Sequence, residues 1–169
     1  MERDEALCRV REKIGNENLV RHSLAVEAVM RALAERYDED VAEWGLAGLV
    51  HDIDVELTRG DSERHSRLGA EMARELGCRE AVCHAVLAHN PAHGTALETR
   101  LDKALYCADP ITGLITAVAL LMPDRKLASV RVDSVAKRFK QPRFAAGARR
   151  EQIAACSELG LELDDFIAL

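Results

Sequence analysis

Apolar positions recur along this chain at spacings of three and four and nowhere alternate over a sustained stretch, so the pattern predicts helices and no sheet. A first helix is expected over Arg3 to Ile14, closed by Gly15. Asn16 or Asn18 can cap a second one running to Tyr37, with Leu19, Val26, Val29 and Leu33 on one stripe. Asp38 or Asp40 caps a third, from Val41 to about Ile53. Beyond a loop at Thr58, Gly60 and Asp61, Ser62 is expected to cap a helix that ends at Gly77. Another spans Arg79 to about His89 and stops before Pro91. Glu98–Met122 reads as one long helix interrupted at Pro110, where a missing N–H and a clash with the preceding turn predict a kink. Helices near Ser129–Lys140 and Gly147–Leu159 and a short tail around Asp164–Ala168 complete an all-α chain.

Composition narrows the class. With 169 residues the chain fits one domain, and 48% hydrophobic with 31% charged residues excludes a disordered segment. Aromatics are only 4%, so the core must rest on Ala, Leu and Val. A net charge of −6 speaks against nucleic-acid binding by the surface as a whole. The charge is uneven, because residues 123–150 carry nine Lys/Arg against Asp124 and Asp133. That stretch, with Phe139 and Phe144 interspersed, either attracts a nucleotide or RNA or is a solvated face with its Phe residues packed inward. Five cysteines without a CxxC pair read as reduced thiols in a cytoplasmic protein. The charged N-terminus does not read as a signal peptide, and the longest uncharged run, Pro110–Pro123, falls short of the roughly 20 residues needed to cross a bilayer. The expectation is a soluble, cytoplasmic protein.

The candidate chemistry lies in the histidines. His22 interrupts the apolar stripe of the second helix, His89 shares a face with Val82 and Val86, and His65 lies with Gly69 and Met72. Any one of them could be a hydrogen-bonded core residue, but three inward-facing imidazoles each need a polar partner, and a shared metal would satisfy all of them. His51 and Asp52 are neighbours at an expected helix end, and adjacent residues on a helix can reach the same cation only near a terminus or beside a pocket. Asp109, in an apolar segment before Pro110, is either coordinated or bonded to backbone freed at the helix break. His84 points away from His89 around its helix, and His93 either lines the mouth of a site or is solvated.

The pieces RHSLAVE, LVHDID, RHSRLGAEMA, AVLAHN and YCADPITGL, in that order over about residues 15–122, resemble the HD-domain superfamily of metal-dependent phosphohydrolases. The stretch from MPDRKL to FAAGARREQI and the tail is similar to the C-terminal extension of small stand-alone HDIG-type members. The resemblance implies a single HD domain over 1–169, with a metal-binding helical bundle at about 15–122 and a basic helical extension at about 123–169. It implies metal ligation by His22, His51, Asp52 and Asp109, joined in dinuclear members by His65 and His89 with Asp52 bridging. Both extra histidines are present, which favours two ions, and imidazole with carboxylate suits Fe, Mn, Ni or Zn.

The implied reaction is hydrolysis of a phosphoester or phosphoanhydride by metal-activated hydroxide, on a small phosphorylated substrate such as a nucleotide or dinucleoside polyphosphate. Asp52 and Asp54 are the candidate catalytic carboxylates, Asp54 being either a partner that orients a ligand histidine or a solvated loop acid. Arg64, Asn90 and Lys103 are the candidate substrate-binding residues, and Asp102 and Tyr106 are candidates for a supporting role behind the ligands. HDIDVE departs from the HDIG motif, since Asp54 and Val55 stand where Gly and a following Lys are usual. No GYP triplet is present, so a cyclic-dinucleotide phosphodiesterase of the HD-GYP kind is not expected. The alternative is a metal- or nucleotide-binding signalling module with little catalysis. No membrane association is expected, nucleic acid is not the favoured partner, and a homodimer is left open.

Overall fold

The computed structural model describes residues 1–169 and is helical with no strand. The longer elements are α1 (Arg3–Lys13), α2 (Glu17–Tyr37), α3 (Val41–Val50), α5 (Arg67–Glu75), α6 (Glu80–Ala88), α7 (Arg100–Ala119) and α8 (Val132–Phe139). Short ones are α4 (Val55–Thr58), α9 (Arg150–Ala154) and α10 (Leu163–Ala168). The caps expected from the sequence act at two starts: Asn16 accepts from the Asn18 N–H, and Asp40 accepts from Ala42 and Glu43. No helix is long and apolar enough to cross a membrane.

The core is one cluster reaching from Ala6 in α1 to Phe166 in α10, dominated by small and aliphatic residues as the scarcity of aromatics required. Helices α2 and α3 pack most extensively, and a glycine makes their approach feasible. A Cβ on Gly48 would come within 2.9 Å of the Glu27 backbone, a distance no side chain tolerates. Beside it, the buried Glu27 carboxylate takes charge-assisted bonds from Arg3 at 2.6 Å and Arg31 at 2.9 Å, which ties α1 to α2.

Two expected boundaries differ in an informative way. The helix foreseen from Ser62 starts only at Arg67, and residues 62–66 form turns, so His65 precedes α5 and does not lie on its face. Asp61 accepts from the Glu63 and Arg64 N–H groups and Asp54 from that of Ser66, which satisfies these donors outside a helix, and Asp54 also accepts from Gly69 in the first turn of α5. The second difference is at Pro110, where α7 continues as one helix. The missing proline N–H leaves the Tyr106 carbonyl without its helical partner. Gln152, from α9, donates to that carbonyl at 3.4 Å and to the His89 carbonyl at 3.2 Å. The C-terminal third is thereby bonded to the backbone beside the site.

Candidate metal centre

Six side chains from separate elements converge. His22 comes from α2, His51 from the end of α3, Asp52 from the turn that follows, His65 from the turn before α5, His89 from the end of α6 and Asp109 from the middle of α7. Because α3 ends at Val50, the turn lets both His51 and Asp52 reach the centre.

Each imidazole is fixed through Nδ1. His51 donates to the Gly48 carbonyl at 2.8 Å and His89 to the Val86 carbonyl at 2.5 Å, the same device at two helix C-termini, where carbonyls lack intrahelical partners. His65 Nδ1 lies 3.0 Å from Asp54 Oδ1. His22 Nδ1 lies 3.1 Å from Thr112 Oγ1, whose own proton goes to the Asp109 carbonyl, so the hydroxyl accepts from the ring. With a proton on every Nδ1, the four Nε2 lone pairs face inward.

Asp52 divides them. Its Oδ2 lies 3.4 Å from His51 Nε2 and 3.7 Å from His22 Nε2, while Oδ1 lies 3.4 Å from His65 Nε2 and 3.5 Å from His89 Nε2. Asp109 Oδ1 joins the first set, 3.1 Å from His22 and 3.8 Å from His51. His22, His51 and Asp109 form one group able to hold a metal ion, and His51, Asp52 and His89 another.

The donor set fits a divalent metal. His51 Nε2 is wholly buried and has no hydrogen-bond partner, an expensive state for a nitrogen lone pair unless a cation sits opposite it. A proton serves in the metal-free protein. Burial disfavours the charged His51 ring, but the Asp52 and Asp109 carboxylates outweigh it and lift the group to about 9. Burial likewise raises Asp52, and the charge and hydrogen bond of His51, with those of His89, reverse this and hold it well below the usual carboxylate range.

The other expected residues fall in different places. Asp54 is 0% exposed, and its oxygens are filled by His65 Nδ1 and the N–H groups of Ser66 and Gly69. It stands behind His65, out of reach of a substrate, so it is neither a solvated loop acid nor placed to touch reacting atoms. Asn90 lines the cavity, yet its amide is spent on the Ser62 and His65 carbonyls at 2.9 and 3.1 Å and its oxygen on the Ala92 N–H. Arg64 is exposed and outside the cavity lining. Lys103 is also outside it, its Nζ 3.6 Å from Glu158.

Asp102 closes a capping box with Thr99 at the start of α7, and its Oδ2 lies 3.1 Å from His84 Nδ1, away from the cluster. Tyr106 contributes only its carbonyl, to Gln152. His93 is not merely solvated, since its Nε2 lies 2.7 Å from the His65 carbonyl and its Nδ1 accepts from Arg67 at 3.2 Å.

The cavity over the centre measures about 240 Å³ and is bounded by His65, His89 and Asp109, the wall residues Ser62, Asn90, Pro91 and Pro110, and Gly147, Arg149 and Gln152 of the C-terminal third. The last three were not foreseen. The sequence does show that Pro110 must orphan the Tyr106 carbonyl, but not which donor arrives.

An all-helical bundle holding four inward imidazoles around two carboxylates defines a protein fitted to bind divalent metal. The family model described as HD domain matches residues 19–119, more than half of the chain, which belongs to the HD-domain superfamily of metal-dependent phosphohydrolases. Among curated proteins it is similar to ribonuclease Y of Lawsonia intracellularis (30% identity over 97 residues, 57% of this chain and 18% of that protein). Ribonuclease Y of Geobacter metallireducens is 31% identical over 98 residues, 58% of this chain and 18% of its own. The match thus spans less than a fifth of these relatives. No solved structure matches the chain.

Proposed function

We propose that His22, His51, Asp52, His65, His89 and Asp109 hold two divalent ions and that the protein hydrolyses a phosphoester or phosphoanhydride of a nucleotide, with dinucleoside polyphosphates the first substrates to test. The observation that carries this reading is the division of Asp52, one oxygen toward His22 and His51 and the other toward His65 and His89. Iron, manganese, nickel or zinc bound there would lower the pKa of water and neutralise phosphoryl charge.

The chain's own part is positional. The Nδ1 anchors on Gly48, Val86, Thr112 and Asp54 hold the rings, so little reorganisation is needed when a substrate arrives. Asn90 pins the turn that carries His65. Asp109 is 27% exposed at its side chain and lines the cavity, so it also faces the entering phosphate's surroundings. Five free cysteines fit a reducing, cytoplasmic setting.

A small substrate is favoured because no Phe, Tyr or Trp lines the cavity, which leaves no platform on which successive bases of a strand would stack. The likeness to proteins named ribonuclease Y makes RNA the second class to test. The experiment is turnover by the full chain loaded with Mn, Fe, Ni or Zn, on nucleotides, dinucleoside polyphosphates and short RNA. Metal-dependent hydrolysis of a nucleotide, abolished by chelation, is expected. Cleavage of RNA alone would move the substrate class, and bound metal with no turnover would support the non-catalytic module.

A further inference from the structure

We propose that Arg149 is the residue that binds the substrate's phosphate in this site, an inference that rests on the phosphohydrolase reading above. Arg149 lies outside the matched family region, in a basic stretch whose sequence alone left its role open. Of the residues lining the cavity over His65, His89 and Asp109, it is the one Lys or Arg. The cations first expected there are elsewhere, Lys103 on Glu158 and Arg64 in solvent.

The guanidiniums of Arg150, Arg67 and Arg100 are committed to structure, whereas Arg149 is exposed and takes part in no ion pair or side-chain hydrogen bond. Arg150 points into its own loop and donates to the carbonyls of Phe139 at 3.1 Å, Ala145 at 3.0 Å and Gln141 at 3.2 Å, and also to those of Phe144 and Ala148. Arg67 is turned to His93 and Arg100 to Glu39.

The backbone at Arg149 is held from both sides. Arg150 gathers residues 139–148 around one guanidinium, and two residues further Gln152, 5% exposed, is bonded to the carbonyls of His89 and Tyr106. Arg149 is therefore carried on a fixed segment beside three of the expected metal ligands, His65, His89 and Asp109, and less ordering is needed when it engages a ligand than for an arginine on a free loop. A guanidinium forks onto two phosphoryl oxygens, which suits it to a phosphate anchored on its other side by metal.

The test uses the full chain loaded with manganese and inorganic phosphate as the probe. Calorimetry on wild type, R149A, R149K and R143A is paired with metal analysis and turnover of whichever ester the wild type cleaves. Arg143 is exposed in the same basic stretch and lies outside the cavity, so R143A removes an equal charge without touching the site. The expected result is unchanged metal content in all four, phosphate affinity at least tenfold weaker in R149A, partly restored in R149K and unaltered in R143A. In turnover, KM should rise more than kcat falls in R149A. Phosphate affinity in R149A within twofold of wild type would overturn the proposal, as would equal losses in R149A and R143A, or no phosphate uptake by wild type. Failure of wild type to hydrolyse any ester sinks the phosphohydrolase reading instead, and the calorimetric comparison is still read.

Discussion

The bundle that carries the metal centre and the C-terminal third that leans on it solve different problems. In the bundle, polar groups are organised by helix ends and by one another. Two histidines close helix C-termini on carbonyls three residues back, and Asp54 stiffens His65 from behind. In the C-terminal third, order comes from two side chains that collect backbone carbonyls: Arg150 gathers its own loop, and Gln152 takes the carbonyl that Pro110 leaves unpaired. The first arrangement creates a place for cations. The second brings a cation of the protein's own to the edge of that place, and chemistry that needs both should respond separately to damage in either.

The sharpest way to break this division is at its centre. Asp52→Ala removes the carboxylate that faces both histidine pairs, so metal content should fall from about two ions to none and turnover by at least about a thousandfold. Elemental analysis and a nucleotide assay check it, and wild-type metal content would defeat the ligand assignment. His89→Ala should leave about one ion per chain, because His22, His51 and Asp109 keep the Asp52 oxygen that faces them, the donor that Asp52→Ala removes. Asp54→Asn is next in size. Without the carboxylate behind His65 the second ion should bind roughly ten- to a hundredfold more weakly, read by metal titration, while the first is unaffected.

Damage to the C-terminal third should look different. Arg150→Met removes several charge-assisted bonds to carbonyls and should cost about 2 kcal/mol, lowering the melting temperature by roughly 4–8 °C with metal content intact. Metal loss in that variant would erase the distinction between the two regions. The smallest effect concerns Glu56, which accepts from the Gly15 and Asn16 N–H groups that join α1 to α2. Those bonds hold its carboxyl below the usual value. A depressed pKa means stability that is present above about pH 4.5 and lost as the pH falls through the folded value. Wild type should therefore lose a slight stability advantage over Glu56→Gln in acid melting curves below that pH.

Much of the bundle was legible because its determinants are local. Helix stripes, the Asn16 and Asp40 caps and the end of α3 near the His51–Asp52 pair follow from spacing and capping, and the structure brings His22, His51, Asp52, His65, His89 and Asp109 to one centre. What escaped depends on contacts between segments far apart in the chain. The turns at 62–66 exist because Asp54 and Asn90 take backbone groups that a helix from Ser62 would have used. Lys103 lies on the α7 surface that Glu158 covers, a contact that no spacing reveals. Arg149 and Gln152 reach the cavity only because the last third folds back over Pro110.

Metal content per chain, by elemental mass spectrometry on protein purified without chelator or nickel resin, tests the central claim most directly. The division of Asp52 between two histidine pairs predicts about two divalent ions. No bound metal, together with no thermal stabilisation on adding manganese, iron, nickel or zinc, would contradict it and make the four imidazoles structural.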